Sequence, residues 1–261
     1  MWLLGLLAAG AAHAGCSRVI DVPMAPIGVS VRFEQGRPQG IYPTLLREVA
    51  VGAACQVAMQ QVPRARQQSM FDGGQADVLI PASATPSRDA NAEFVPLIQV
   101  RASLLTLDGE AAVPRSLADL VALPDYKLVV VRGFSFGPAY DAAIATLRQR
   151  QRLVEEADPA GVARALRLGL APATVMTASI LVGTLATEPD LAPLLKRLRV
   201  EPLDELGWNA SGVYLSRRLG EPDRRLLRQA FGQAARAGRV WQLFNEHHPP
   251  GSLGGSIRPL P

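Results

Sequence analysis

Short β-rich runs alternate with amphipathic helical stretches along this chain, and the alternation occurs twice. In the first half Ser17-Val22 reads as a strand. Gly40-Ile41-Tyr42-Pro43 then opens a helix whose apolar residues Ile41, Leu45, Leu46, Val49, Ala50 and Ala53 recur at helical spacing. The strand Val57-Val62, a short helix over Ala65-Phe71 stopped by Gly73-Gly74, and the strand Ala76-Ile80 complete a βαβαβ pattern. Such a pattern predicts an α/β fold, with parallel strands covered by helices. The second half repeats it: a strand at Lys127-Val131, a helix from Gly137 to Arg150, a helix over Val162-Leu168 capped by Gly169, a strand at Ala173-Met176 and a helix from about Ser179. Leu97-Thr106 and Val200-Val213 are extended and apolar-rich with little Gly or Ser, so they read as strand-like connections between two units. Two helices follow, near Pro222-Ala235 and Arg239-Glu246, and Pro249-Pro250-Gly251 then opens a Gly/Pro tail with no core-forming pattern.

With 48% hydrophobic and 19% charged residues over 261 positions, the chain is too apolar for disorder and long enough for one large domain or two small ones. The net charge of +4 comes almost entirely from arginine, since Lys127 and Lys196 are the only lysines. The basic residues are scattered with no run of five, so no nucleic-acid partner is expected. Trp2-Ala12 has the length of a signal-peptide core, and Ala12-His13-Ala14 offers small residues for cleavage near Ala14. A buried N-terminal helix is the alternative. No later run reaches 18 apolar residues, so export to the periplasm as a soluble protein is expected. Cys16 and Cys55 each precede an apolar strand-like run. If those strands are parallel neighbours, the cysteines fall at one end within bridging reach, as suits an oxidising compartment. Two unpaired thiols, or lipidation of Cys16, stay open at this point.

The most informative stretch runs from Asp77 to Arg88. A strand ends near Ile80, Thr85 is a good N-cap and Pro86 suits the first helical position. Ser83, the helix start and Arg88 thus converge at the open end of a strand, which suits a carboxylate. A plain capped helix with a surface arginine is the competing explanation.

At this point the chain resembles solute-binding protein family 3, the amino-acid-type periplasmic substrate-binding proteins of ABC transporters. The resemblance covers about Cys16 to Pro249. It rests on Gly40-Ile-Tyr-Pro-Thr-Leu-Leu, Pro63-Arg-Ala-Arg, Gly74-Gln-Ala-Asp77 leading to Thr85-Pro-Ser-Arg88, Phe94-Val-Pro-Leu, Val131-Arg-Gly133, Leu166-Arg-Leu-Gly169 and Gly238-Arg-Val-Trp241. It implies a two-lobed periplasmic-binding-protein fold of type II. Each lobe would be a mainly parallel sheet with flanking helices, joined by two hinge strands and closing on a small ligand. The expected divisions are a signal peptide over 1–14, a first lobe over 15–100 and 211–250, a second lobe over 101–210, and the tail over 251–261.

Carried over by position, the resemblance makes Arg88 the carboxylate anchor and Ser83 the hydroxyl beside it. Gly133 to Ser135 become the second lobe's N–H-donating loop, and Met24 and Pro26 the lining loop after the first strand. Arg64 falls where the family places an aromatic ring. Two departures stand out. Thr177 occupies the position of the acid that pairs with a ligand ammonium, and the Asp77-Arg88 segment is one residue shorter than the commonest form. Losing that acid while adding Arg64, beside Arg66 and Arg132, favours a small anionic solute over an ordinary amino acid. Expected partners are a small anionic or amino-acid-like solute and an inner-membrane permease or sensor receptor, with the chain a monomer and no cofactor.

A rival reading comes from Gly133-Phe134-Ser135-Phe136-Gly137, a literal G-x-S-x-G between strand and helix, with His247-His248 downstream and acids between. It would make Ser135 the nucleophile of a serine esterase. A cyclohexadienyl-dehydratase-like enzyme on the same binding-protein fold is a further alternative, although the matched positions offer no general acid. The adjacent His247 and His248 could not both face one metal from a regular helix. Trp241 and Phe244 are expected to pack into the first lobe. Trp208, near the second hinge, reads either as packing or as a ligand wall.

Overall fold

The computed structural model describes residues 15–107, 114–253 and 255–261; the expected leader lies outside them. The chain builds one lobe, crosses to a second, and returns. β1 (Ile20–Met24) leads through a small hairpin, β2 (Arg32–Glu34) and β3 (Arg37–Gln39), into α1 (Ile41–Gly52). Next come β4 (Val57–Gln61), α2 (Arg64–Asp72), β5 (Val78–Ser83), the single turn α3 (Pro86–Asp89) and the long β6 (Ala92–Val100). Only Arg101 separates β6 from β7 (Ala102–Leu107), which already belongs to the second lobe. That lobe continues with α4 (Leu117–Ala122), β8 (Leu128–Val131), α5 (Pro138–Gln149), β9 (Leu153–Glu156), α6 (Pro159–Arg167), β10 (Ala173–Thr177), α7 (Ala178–Thr187) and β11 (Leu198–Pro202). β12 (Asn209–Ser216) carries the chain back to the first lobe, where α8 (Glu221–Arg236), α9 (Arg239–His247) and β13 (Ile257–Arg258) complete it.

The second lobe is one five-stranded sheet in the order β11-β7-β10-β8-β9. Its β10-β8-β9 part is parallel because α5 and α6 make the crossovers, and β7 and then β11 extend it by antiparallel pairing. α5 buries Tyr140, Ala143, Ile144 and Leu147 against it, the stripe expected of a helix packed on a sheet. In the first lobe β1 and β4 pair in parallel, while β5, β12, β6 and β13 form an antiparallel ladder. The two ladders meet at Asp77, whose N–H donates to the Asp21 carbonyl and whose carbonyl accepts from Ser216. The Asp77 carboxylate also accepts from the Asp21 N–H and from two nitrogens of Arg18, at 2.6 Å each. α1, α8 and α9 cover one face, with Phe231, Leu243, Phe244 and half-buried Trp241 in the same core as β1 and β5.

Cys16 and Cys55 form a disulfide, with Cα atoms 4.7 Å apart. The pairing follows from the β1/β4 register, Ile20 opposite Val57, which brings both preceding segments to the same end. With its Sγ in that bond, Cys16 has no thiol left for a lipid thioether.

Two expectations are corrected here. β1 runs to Met24, two residues beyond the strand expected from the sequence, so Met24 is a fully buried core residue and not part of a cleft-lining loop. The Gly/Pro segment is not a structureless tail: Leu253, Ser256 and Ile257 are buried, and Ile257–Arg258 pairs with Val100 and Gln99. Its few apolar residues are too widely spaced to register as a pattern, yet the open edge of β6 accepts them.

Candidate functional site

A cleft between the lobes encloses about 560 Å³ of atom-free space, including the solvent at its mouth. The first lobe contributes Ile27 and Ser30 from the loop after β1, Tyr42 from α1, Arg64 from α2, Ser83 from β5, Ser211 from β12 and Phe244 from α9. The second lobe contributes Phe134, Ser135 and Phe136 from the loop after β8, and Thr177, Ser179 and Ile180 from the start of α7. No aspartate, glutamate or histidine lines it among the described residues.

The lobes are closed upon one another. Ser83 Oγ donates to the Ser135 carbonyl at 3.2 Å, directly across the cleft. Gly28, at φ 52°, lies so close to α7 that a Cβ there would sit 2.8 Å from both the Ile180 carbonyl oxygen and the Thr184 nitrogen. Gly133 similarly faces the backbone of Ala65. Gly28 leaves no room for a Cβ at this approach, whereas at Gly133 a Cβ would come within 3.3 Å of Ala65 and the φ of 87° is what favours glycine.

Arg64 dominates the electrostatics. It is the first residue of α2, only 6% exposed, and its Nη1 donates to Gln67 Oε1 at 2.7 Å. Its Nε has no partner, it makes no ion pair among the described residues, and its guanidinium lies 5.9 Å from the centre of the Phe134 ring. Burial, and secondarily the nearby charge of Arg88, push it down to about 9. A cation withdrawn from water without a counter-charge is costly unless an anion completes it.

Gln67 sets its direction. Fully buried, Gln67 donates through Nε2 to the carbonyls of Pro23 at 2.8 Å and Ile80 at 3.2 Å, leaving Oε1 to hold Arg64. The ends of β1 and β5 thereby fix the guanidinium. Sequence reasoning missed Gln67, because one glutamine on a largely polar helix carries no pattern.

Arg88 is buried beside the cleft rather than lining it. Thr85 caps α3 as expected, its Oγ1 accepting from the Arg88 N–H. The guanidinium, however, donates to the Ser83 carbonyl at 2.9 Å and to Gln68 Oε1 at 2.7 Å. It braces the strand end that presents Ser83. Arg66 is exposed; so is Arg132, whose Nη2 donates to the Glu155 carbonyl at 3.4 Å, and neither reaches the cleft. Gly133 shapes the loop with φ 87° and does not itself line the space. Pro26 lines a different crevice. Trp208 lies under Arg258, whose guanidinium carbon is 4.3 Å from the indole ring centre, and it does not line this cleft.

Among the described residues, no histidine is hydrogen-bonded to the G-x-S-x-G serine. Ser135 Oγ donates to Asp141 Oδ2 at 2.8 Å, and the ring nitrogens of His248 face the carbonyls of Phe244 and Ser179. Gly137, at φ 104° and followed by Pro138, makes this segment the cap of α5. In that loop the N–H groups of Ser135 and Phe136 have no acceptor among the described residues.

Two lobes with this strand order, joined by the β6–β7 and β11–β12 crossings and closed on a lined cleft, match known structures along nearly their whole length. A mutant of ArgBP from T. maritima superposes with a TM-score of 0.70 at 14% identity, covering 88% of this chain and 94% of that one. This chain has the type II periplasmic-binding-protein fold. The amino acid ABC transporter substrate-binding protein AbpA from Streptococcus pneumoniae, bound to L-arginine, shares the binding-protein fold with a TM-score of 0.69, 16% identity and coverage of 88% and 94%. The GluR0 ligand-binding core from Nostoc punctiforme, in complex with L-glutamate, gives 0.66 and 18%, with coverage of 89% and 100%. No family model and no curated protein matches the sequence.

Proposed function

We propose that this chain is an exported binding protein that captures a small organic anion, without an ammonium group, between its lobes. Arg64 is the anchor. The observation that carries the reading is the buried guanidinium of Arg64, which among the described residues has no acidic partner, in a cleft lined by no carboxylate of those residues. A ligand carboxylate supplies the missing counter-charge, and the hydroxyls of Ser30, Ser83, Thr177, Ser179 and Ser211 surround the same space. Tyr42, Phe134, Phe136 and Phe244 suit an apolar body behind the charged head. The solved neighbours include proteins bound to L-arginine and L-glutamate. This chain departs from an amino-acid site at Thr177, fully within the cleft wall, which cannot neutralise an ammonium group.

Both lobes touch the ligand space, so a ligand favours the closed state by binding it preferentially. The recipient in this reading is a membrane permease or a sensor receptor, and the capture step is the same for either. The test is a thermal-shift screen of matched pairs, each carboxylate beside its α-amino counterpart. The carboxylates should raise the melting temperature more than their amino partners. Stabilisation by the amino acids alone would reject the proposal.

A further inference from the structure

The segment beyond α9 does more than cover a sheet edge. Ile257, fully within the core, pairs with Val100 and also lines the solute cleft alongside it. The Ser256 carbonyl accepts from the Arg101 N–H at 2.9 Å, and Arg101 is the single residue between β6 and β7, where the chain first crosses between lobes. Arg258 pairs with Gln99, its Nε donating to Gln99 Oε1 at 2.5 Å, while its guanidinium covers Trp208. Trp208 immediately precedes β12, where the chain crosses back. Arg101 closes the arrangement by donating from Nε to the Leu206 carbonyl at 3.3 Å.

We propose that the C-terminal segment around Ser256–Arg258 is a strap across both hinge crossings, and that its Ile257 is a specificity-determining residue of the solute site. Three consecutive residues hold the first crossing by backbone bonds, the second by a cation–π contact, and the ligand by a side chain. Ile257 and Val100 form one apolar wall, so the strap sets how large an apolar body the anion can carry. Because the same residues fix the hinge, packing of the ligand against Ile257 and retention of the closed state are linked. This inference rests on the anion-capture reading for its ligand, but not for its hinge contacts.

The experiment combines amide hydrogen exchange with calorimetric titration on the full chain, using the carboxylate that most stabilises the wild type. Ile257→Ala should weaken that ligand about tenfold, as expected for losing much of a buried aliphatic wall, and should bind carboxylates one or two methylenes larger comparatively better. Arg258→Ala changes an exposed residue outside the cleft, so the fold should persist; it should speed exchange at the Arg101 amide and weaken binding without altering ligand preference. Wild-type exchange at Arg101 in both variants, with unchanged affinity and size preference, would overturn the proposal. If no carboxylate shifts the wild-type melt, the anion reading fails by itself, and unchanged Arg101 exchange in the variants would then still reject the strap.

Discussion

Replacing Arg64 with methionine keeps the length of the side chain and removes its charge. The unliganded protein should become more stable as a result. Chiefly by burial, the guanidinium is pushed from the ordinary arginine value down to about 9. At about 1.4 kcal/mol per pH unit, that corresponds to roughly 5 kcal/mol of unfavourable placement for the charged form. Water entering the cleft and relaxation of its walls reduce this figure, and exchanging buried charge for apolar volume elsewhere has gained about 1–4 kcal/mol. A chain of this size gains about 2–4 °C in Tm for each kcal/mol. Binding should move the other way. Loss of a buried, hydrogen-bonded charge pair costs about 2–5 kcal/mol, hence a roughly 30-fold or greater loss of affinity. Differential scanning calorimetry with and without the carboxylate reads both quantities. An Arg64→Met protein that melts lower than wild type and still responds to the ligand would refute the reasoning, because Arg64 would then be a structural residue.

Gly28→Ala should leave the first lobe folded but hold the cleft ajar, because the new Cβ would meet the Ile180 and Thr184 backbone at 2.8 Å. Small-angle scattering should show a more open particle with ligand present, and affinity should fall; unchanged closure would contradict the tight approach. Removing the disulfide with Cys55→Ser opens a loop spanning 39 positions and should cost about 3–4 kcal/mol in denaturant unfolding. His247 is pushed below its ordinary value, first by burial and then by Arg32, with Glu246 opposing and His248 and Arg239 adding to the depression. The unfolded chain therefore takes up that proton first, and stability is lost as pH falls through about 6.5. His247→Gln should flatten the melting-temperature profile between pH 7 and 5; an unchanged slope would assign the acid sensitivity elsewhere.

Periodicity made most of the fold legible. The helical stripes of α1 and α5, the Thr85-Pro86 cap and the parallel β1/β4 pair were all readable because each is a local pattern or a direct consequence of one. Of the positions singled out in the sequence, Arg64, Ser83, Ser135 and Thr177 line the cleft, whereas Met24, Gly133 and Arg88 do not. Arg88 stood out through its cap and resemblance, yet a one-turn helix at the end of β5 aims its guanidinium at Ser83 and Gln68. Arg64, the proposed anchor, is oriented by Gln67, which bridges Pro23 and Ile80, residues 44 and 13 positions away. Met24 was displaced by a two-residue extension of β1. The strap escaped notice because a two-residue strand carries no period, and its partner edge lies more than 150 residues earlier.

The most direct measurement is a crystal structure of the protein with the carboxylate that stabilises it best. The account predicts the ligand carboxylate on the guanidinium of Arg64, inside a closed cleft, with Thr177 facing no ammonium group. A carboxylate held by Arg88 instead, with an ammonium group at Thr177, would contradict it.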